Sequence, residues 1–377
     1  MRKEFSKNVI QLIKDNPKST YISLGQEDVN KFCTCSNCKT EVAKYKESGV
    51  TIRFTNKVAK DVQDYIDKYE PGREFYLSTF AYQKTQNAPV DANKKPLDES
   101  VKPASNVRIM IAPIYACNSH HYYDTCNADI NSLFADWNVV AQGQIYTWIY
   151  NKIFSNYFIP FNNYSTLVDN YNILHNIGTK FVYHQGNKET EAGGMQELKS
   201  YVEAKLMWDN SQSPDKLAED FIEHYYKDAA PYYEEYYKLV RYSYAMWELD
   251  GLHCYNSTSK AEAIADTKYW TRDLVDQFNE LFLKMFESIE KYKTTDEEYY
   301  EKMNIRIQKE YLTVRYFYLL FYFDEFSYAD GKVMLDEFEY YCKKVGISVW
   351  REMYLTTSTH MLISSFVTSK REELNQK

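Results

Sequence analysis

No stretch of this sequence approaches the roughly 18 consecutive apolar residues that a membrane-crossing helix needs. The densest apolar segment, VRYFYLLFYF from Val314, is shorter and carries Arg315. Basic blocks are missing as well. The 45 Lys and Arg are outnumbered by 53 Asp and Glu, for a formal net charge of −8. That balance argues against a nucleic-acid backbone as the main partner. No glycine-rich fingerprint follows the first apolar run, which speaks against a dinucleotide fold. Nothing has the pattern of a phosphate-binding loop, and no Ser/Cys/His nucleophile set emerges. The opening MRKEFSKNVIQLIKDNP is not a signal peptide: Phe5, Val9, Ile10 and Ile13 recur at helical spacing among charges, without a cleavage site. Seven cysteines are an odd number, mostly scattered, and assign no compartment. Neither a cofactor, a nucleic acid nor a membrane is expected as a partner.

What is present is aromatic and alternating. Aromatic residues make up 17% of the chain, with 37 tyrosines, a side chain whose ring stacks while its hydroxyl still bonds to water. Up to Trp208, short apolar runs alternate with amphipathic helical stretches. STYISLG, REFYLSTFAYQ, NVRIMIAPIYAC, QIYTWIY and TKFVYHQG read as five strands separated by helices. This order implies right-handed crossovers and a parallel sheet. Polar residues collect at the C-terminal ends of the runs: Glu27-Asp28, Tyr82-Gln83, Tyr115 to His121, Trp148 to Asn151, and Tyr183 to Asn187. A (β/α)8 barrel keeps its chemistry at that end. Five strands fall short of eight, and the chain begins with a helix, as though cut in mid-barrel. The expectation is an α/β fold: an incomplete TIM-type barrel of about five βα units over 1–210, then a helical C-terminal domain over 211–377.

The segment YISLGQEDVNKFCTCSNC (Tyr21 to Cys38) ends an apolar run in two adjacent carboxylates and three cysteines. Neighbouring side chains of an extended strand point to opposite faces. Glu27 and Asp28 therefore reach one ligand only if the chain is already turning, and Gly25 and Asn30 mark such a turn. The alternative has Asp28 capping the next segment and Glu27 solvated. Cys33, Cys35 and Cys38 have the short spacing that zinc favours, with a fourth ligand drawn from elsewhere, such as Cys126 or His120. The pattern is not a paired CxxC…CxxC, so reduced or disulfide-linked loop cysteines are the preferred reading and no metal is assigned. His120-His121 reads as loop surface. FSYADGKVMLDEF is excluded as a calcium loop, because setting Gly331 at the turn puts Phe326 and Tyr328 where carboxylates belong.

The order of ISLGQEDVNKFCTCSNC, STFAYQKTQNAP, YTWIYNKIFSNYFIPFNNYSTLVDNYNILHNIG, HQGNKETEAGGMQELKSYVEAKLMWD and LAEDFIEHYYKDAAPYYEEYY resembles the family called domain of unknown function 4838, across roughly residues 1 to 240. Part of that family is classed as glycoside hydrolase family 163, endo-β-N-acetylglucosaminidases acting on N-glycans. The resemblance implies a TIM-type barrel with early strands ahead of the acid pair, and an oligosaccharide or glycan partner. It also implies a retaining, substrate-assisted hydrolysis in which Glu27 is the general acid and Asp28 orients the substrate amide. Tyr82, Trp148, Tyr150, Asn156 and Gln185 are then the strand-end residues that stack on or bond to a sugar. The chain departs from its relatives at Tyr115, Ile149 and His184, where acidic residues are often found.

Overall fold

A computed structural model describes residues 2–150, 152–187, 190, 193–255, 264–352 and 361–376. The chain divides into two compact units. Unit 1 comprises Met1–Ala116, Tyr122–Tyr150 and Asn172–His184; unit 2 comprises Cys117–His121, Asn151–Tyr171 and Gln185–Lys377.

Unit 1 is built on five parallel strands: β1 (Tyr21–Ser23), β2 (Tyr76–Ala81), β3 (Val107–Ile111), β4 (Ile145–Ile149) and β5 (Phe181–His184), in the spatial order β1-β2-β3-β4-β5. The five expected runs are the five strands, paired consecutively. Because side chains alternate along a strand, the register sorts them into two faces. One face carries Ile22, Leu77, Val107, Ile109, Ile145 and Ile149, all buried. Part of it packs on helices α1 (Arg2–Asp15) and α2 (Ser36–Tyr69): Val9, Ile13, Val58, Val62 and Ile66 close over Ile22, Leu77 and Val107 in one apolar cluster. Hydrophobic burial of this face holds the sheet to its helices.

The opposite face is aromatic. Tyr21, Tyr146 and Phe181 lie within 5.4–6.4 Å of one another between ring centroids, and the Arg108 guanidinium sits 4.1 Å over the Tyr76 ring. Helix α2 begins inside the cysteine motif, earlier than the apolar spacing from Ile52 onward implies. It contains a kink at Lys46, whose φ of 59° and ψ of 167° are not helical. Helix α3 (Ala128–Ala141) follows β3, and its Trp137 indole N–H donates to the Gln86 carbonyl at 2.7 Å.

Unit 2 is helical. It contains α5 (Gln196–Trp208), α6 (Pro214–Tyr226), α7 (Ala230–Leu249), α8 (Arg272–Ile289), α9 (Tyr292–Thr295), α10 (Glu297–Phe321), α11 (Tyr328–Lys344) and α12 (Ile363–Leu374); α4 (Leu167–Asn176) straddles the two units. Pro214 occupies the first turn of α6, and the Ser213 hydroxyl caps it by accepting from the Lys216 N–H. Ser327 caps α11 in the same way, so the segment that loosely resembles a calcium loop is a helix start. The tyrosine stripes are core: Tyr226 stacks on Tyr233 at 3.8 Å, and Tyr236 meets Phe278 and Phe282 edge-on. Residues 151–171 and 185–210, grouped with the barrel portion on sequence grounds, fall in unit 2.

Unit 2 also contains a backbone crossing that only glycine permits. A Cβ on Gly194 would lie 2.7 Å from the Phe158 carbonyl oxygen and 2.9 Å from the Pro160 nitrogen, whereas one on Gly186 would meet nothing within 4 Å among the described residues. Gly194→Ala is therefore expected to destabilise the fold by on the order of 2 kcal/mol, in the range of strain-producing substitutions. Gly186→Ala serves as the neutral control. Urea unfolding of the two variants checks this, and equal midpoints would show that the crossing relaxes freely.

Candidate active site

All five strands run the same way, so their C-terminal ends share one edge of the sheet. The acid pair lies just beyond β1. The Leu24 N–H still bonds the Ser78 carbonyl at 2.8 Å; after it the chain leaves the sheet. Two tight turns follow, closed by Val29 N–H to Glu27 carbonyl at 2.7 Å and Lys31 N–H to Val29 carbonyl at 2.8 Å. Glu27 and Asp28 are both exposed. The turn expected from Gly25 and Asn30 is present, but Gly25 serves close approach rather than an unusual φ: a Cβ there would sit 3.3 Å from the Phe80 ring.

Tyr82 directly follows β2 and is locked by its neighbours. The Thr85 hydroxyl donates to the Phe80 carbonyl at 2.7 Å, and the Thr85 N–H bonds the Tyr82 carbonyl at 3.0 Å. Gln83, the next residue, adopts φ +53°, a strained conformation for a non-glycine side chain. Burial pushes the Tyr82 hydroxyl above its usual pKa; a hydrogen bond with Gln83 lowers it, while the neighbouring Asp28 carboxylate raises it further. Asp28 and Tyr82, both expected site residues, are thus close enough for the Asp28 charge to act on the Tyr82 hydroxyl.

Further along the edge, Trp148 of β4 and Tyr183 of β5 are register partners, with ring centroids 4.2 Å apart. Phe80 flanks Trp148 at 5.5 Å. Tyr183 is 40% exposed, so the group forms an aromatic shelf reachable from solvent. Tyr150 is buried, 6.5 Å from Trp148, and supports the shelf from behind. Sequence inspection passed over Tyr183 and Phe80 as ligand-contacting residues, although the alternation Tyr146-Thr147-Trp148-Ile149 and Phe181-Val182-Tyr183-His184 carries the signal. Tyr115 stands 53% exposed just after β3, and Ile149 is buried on the helix-facing side.

Two expected site residues belong to unit 2. Asn156 is buried; its amide donates to the Tyr316 hydroxyl at 2.9 Å and its carbonyl accepts from the Phe158 N–H at 3.2 Å. Both ends are engaged within unit 2, which is a packing role. Gln185 is half-buried in the same unit. Asn151 lies outside the described residues.

A model of the family described as Domain of unknown function (DUF4838) matches residues 1–238. The chain belongs to the DUF4838 family. The match takes in the acid pair, the locked Tyr82 turn and the aromatic shelf, so every element of this edge lies within the DUF4838 region. A comparison with curated proteins finds no match. Among solved structures, CpGH84B aligns at 10% identity with a TM-score of 0.38, over 97% of this chain and 67% of that one. A GH138 enzyme targeting pectin rhamnogalacturonan II aligns at 9% identity with a TM-score of 0.29, over 99% of this chain and 63% of that one. This DUF4838 chain therefore spans about two thirds of the length of either protein.

The cysteines of the motif gather at the same end of unit 1. Cys35 is the residue that precedes α2, and Cys38 lies in its first turn. The Cys35 thiol is held below its usual pKa, first by the Cys38 backbone N–H and then by the Cys38 and Cys33 side chains. Cys38 is pushed up to about 12 by hydrogen bonding to the Cys33 and Cys35 sulfurs. All three cysteines are unbridged.

Proposed function

We propose that this DUF4838 protein is glycoside hydrolase-like and acts on N-acetylhexosamine-containing glycans by a retaining, substrate-assisted route. The carrying observation is the exposed Glu27-Asp28 pair, with Tyr82 nearby, on the sheet edge that also bears the Trp148–Tyr183 shelf. In this reading the open sheet is the five-strand portion of a (β/α)8 barrel, whose chemistry sits at the strand C-termini. The strands of unit 1 supply that portion, and residues 211–377 belong to the helical unit.

The chemistry divides between the two acids. Glu27 gives its proton to the glycosidic oxygen as the bond to the anomeric carbon breaks. The substrate's acetamide oxygen attacks that carbon from the opposite face, closing a cyclic oxazolinium. Asp28 accepts the hydrogen bond of the amide N–H and balances the positive charge that develops. Water then opens the ring at the anomeric carbon and passes a proton back to the Glu27 carboxylate. Two inversions give net retention. Tyr82, fixed by the Thr85 turn and near Asp28, is the residue placed to orient that carboxylate. The shelf takes the apolar face of a sugar ring, with Tyr150 as its backing.

A second reading, binding without turnover, is favoured by Tyr115, Ile149 and His184, none of them a carboxylic acid. One experiment on the full chain separates the readings. Calorimetry with N-acetylglucosamine oligosaccharides is expected to show binding that Trp148→Ala weakens about tenfold, equivalent to ~1.4 kcal/mol, within the range of an aromatic contact. Proton NMR of the same mixture follows the anomer released. Binding with retained-anomer product supports the enzyme, and binding without product supports the second reading. No saccharide binding, or binding indifferent to Trp148→Ala, removes the shelf from both.

A further inference from the structure

The CTCSNC segment brings together more than a turn requires. Cys33, Cys35 and Cys38 come from the end of the acid-pair loop and the first turn of α2, yet their sulfurs all lie within 4.8 Å of one another. Cys33 and Cys35 are exposed and Cys38 is half-buried, so the sulfurs have not gathered there to fill a hydrophobic core. A disulfide would join two of them and leave the third without a purpose.

Zinc–thiolate bonds of about 2.3 Å in tetrahedral geometry place neighbouring sulfurs about 3.8 Å apart. The observed cluster needs a contraction of at most about an ångström, within reach of side-chain rotation. We propose that Cys33, Cys35 and Cys38 form a three-thiolate site for a soft divalent cation, zinc above all, with its fourth position open to water or an added ligand.

The surroundings fit that charge. Three thiolates and one divalent cation leave a net charge of −1, and three lysines, Lys31, Lys39 and Lys84, against one carboxylate, Glu47, line the open groove of about 670 Å³ in which Cys33 sits. Soft sulfur ligands select zinc over magnesium or calcium, which prefer oxygen. The metal would tie the far end of the 24–35 segment to α2, fixing the loop that carries Glu27 and Asp28. Binding is measured without any turnover, so the inference stands apart from the glycosidase reading.

Among the described residues a thiol–imidazole group also occurs, which a metal titration must separate. Within unit 2 the Cys117 sulfur lies 3.2 Å from His120 Nδ1 and 3.5 Å from His253 Nδ1, and the two imidazoles stack at 4.8 Å. Cys117→Ser therefore serves as the specificity control.

The test uses the full chain, reduced and stripped of metal under anaerobic conditions, titrated with cobalt(II) and then with zinc. The expected result is a sulfur-to-cobalt charge-transfer band that saturates and is displaced by zinc. Cys35→Ser and Cys38→Ser should each weaken cobalt binding by more than the roughly 10–100-fold typical of a change outside the ligand shell, while Cys117→Ser keeps the band. Limited proteolysis gives an independent readout: zinc should slow cleavage between residues 24 and 35 in the wild type and not in Cys35→Ser. Circular dichroism confirms that the variants, altered at exposed or half-buried positions, remain folded. A reduced protein that shows no such band, or a band unchanged in intensity and affinity by both Cys35→Ser and Cys38→Ser, overturns the site.

Discussion

Raising the pH from 4.5 to 8 is expected to strip the wild-type chain of several kcal/mol of stability that a Glu310→Gln variant does not lose. Glu310 lies in α10, fully enclosed, and its carboxyl is pushed from 4.5 up to about 8, mainly by burial and further by the charge of Glu197. The groups around it are few. The Met195 N–H donates to its carboxyl at 2.8 Å. The Tyr233 hydroxyl and the Lys309 charge favour the ionised form, although Lys309 is itself paired with Glu197. Tyr226 and Tyr236 are buried beside it, with their own hydroxyls pushed well up. These partners do not outweigh the loss of solvation, so the acid stays protonated in the fold at neutral pH.

The sign follows from proton counting. Below pH 4.5 the carboxyl is protonated in both the folded and unfolded chain, and the group adds no pH dependence. Between 4.5 and about 8 the unfolded chain ionises while the folded one holds its proton. The folded state then binds more protons, and stability falls as pH rises, by about 1.4 kcal/mol for each pH unit. Above about 8 both states are ionised and the loss is complete. A sum of several kcal/mol rivals the whole net stability of an ordinary domain. Glu248, raised to about 7, acts in the same direction, so the informative quantity is the difference between wild type and variant. Glutamine keeps the shape of the neutral acid and cannot ionise. Urea unfolding of both proteins across this pH range should give curves that diverge as pH rises. Parallel curves would mean that Glu310 is not kept neutral.

Much of the fold was legible in the chain because its strands obey a simple pattern. Ile145-Tyr146-Thr147-Trp148-Ile149 alternates, with aliphatic or small residues toward the helices and aromatics toward the other face. The parallel order followed from the helices between the runs. Legibility stopped where residues distant in the chain decide the outcome. Asn156 follows a strand end in sequence, yet its amide is claimed by Tyr316 in α10, a partner 160 residues away. The division into two units interleaves segments such as Cys117–His121 with others beyond residue 184, and no local composition shift marks that exchange. The start of α2 was obscured because cysteines and asparagine are poor helix formers, while tertiary contacts later in the same helix compensate. The acid pair was visible as two carboxylates after an apolar run; that Tyr82 comes near Asp28 was not, since it depends on the turn locked by Thr85.

That proximity sharpens the expectation for the acids themselves. In hydrolysis of an ordinary N-acetylglucosaminide by this chain, or by a longer protein that contains it, Glu27→Gln is expected to lower turnover by about 10²–10⁴-fold, the usual worth of general acid catalysis. Glutamine preserves size and hydrogen bonding but has no proton to give to the departing oxygen. An aryl glycoside with a good leaving group needs little protonation, so its turnover should be largely spared. Asp28→Asn acts at an earlier point. The acetamide must be oriented, and its positive charge balanced, before either leaving group departs, so both substrates should slow together. The nearby Tyr82 hydroxyl then feels a neutral amide in place of a charged carboxylate. Tyr82→Phe should therefore resemble a weaker Asp28→Asn, slowing both substrates alike, since Tyr82 acts through Asp28. Steady-state rates on the two substrates for the three variants give the answer. The reverse pattern, with Asp28→Asn spared on the aryl glycoside and Glu27→Gln not, would exchange the two roles. Three variants as active as the wild type would reduce the acid pair to a solvated turn.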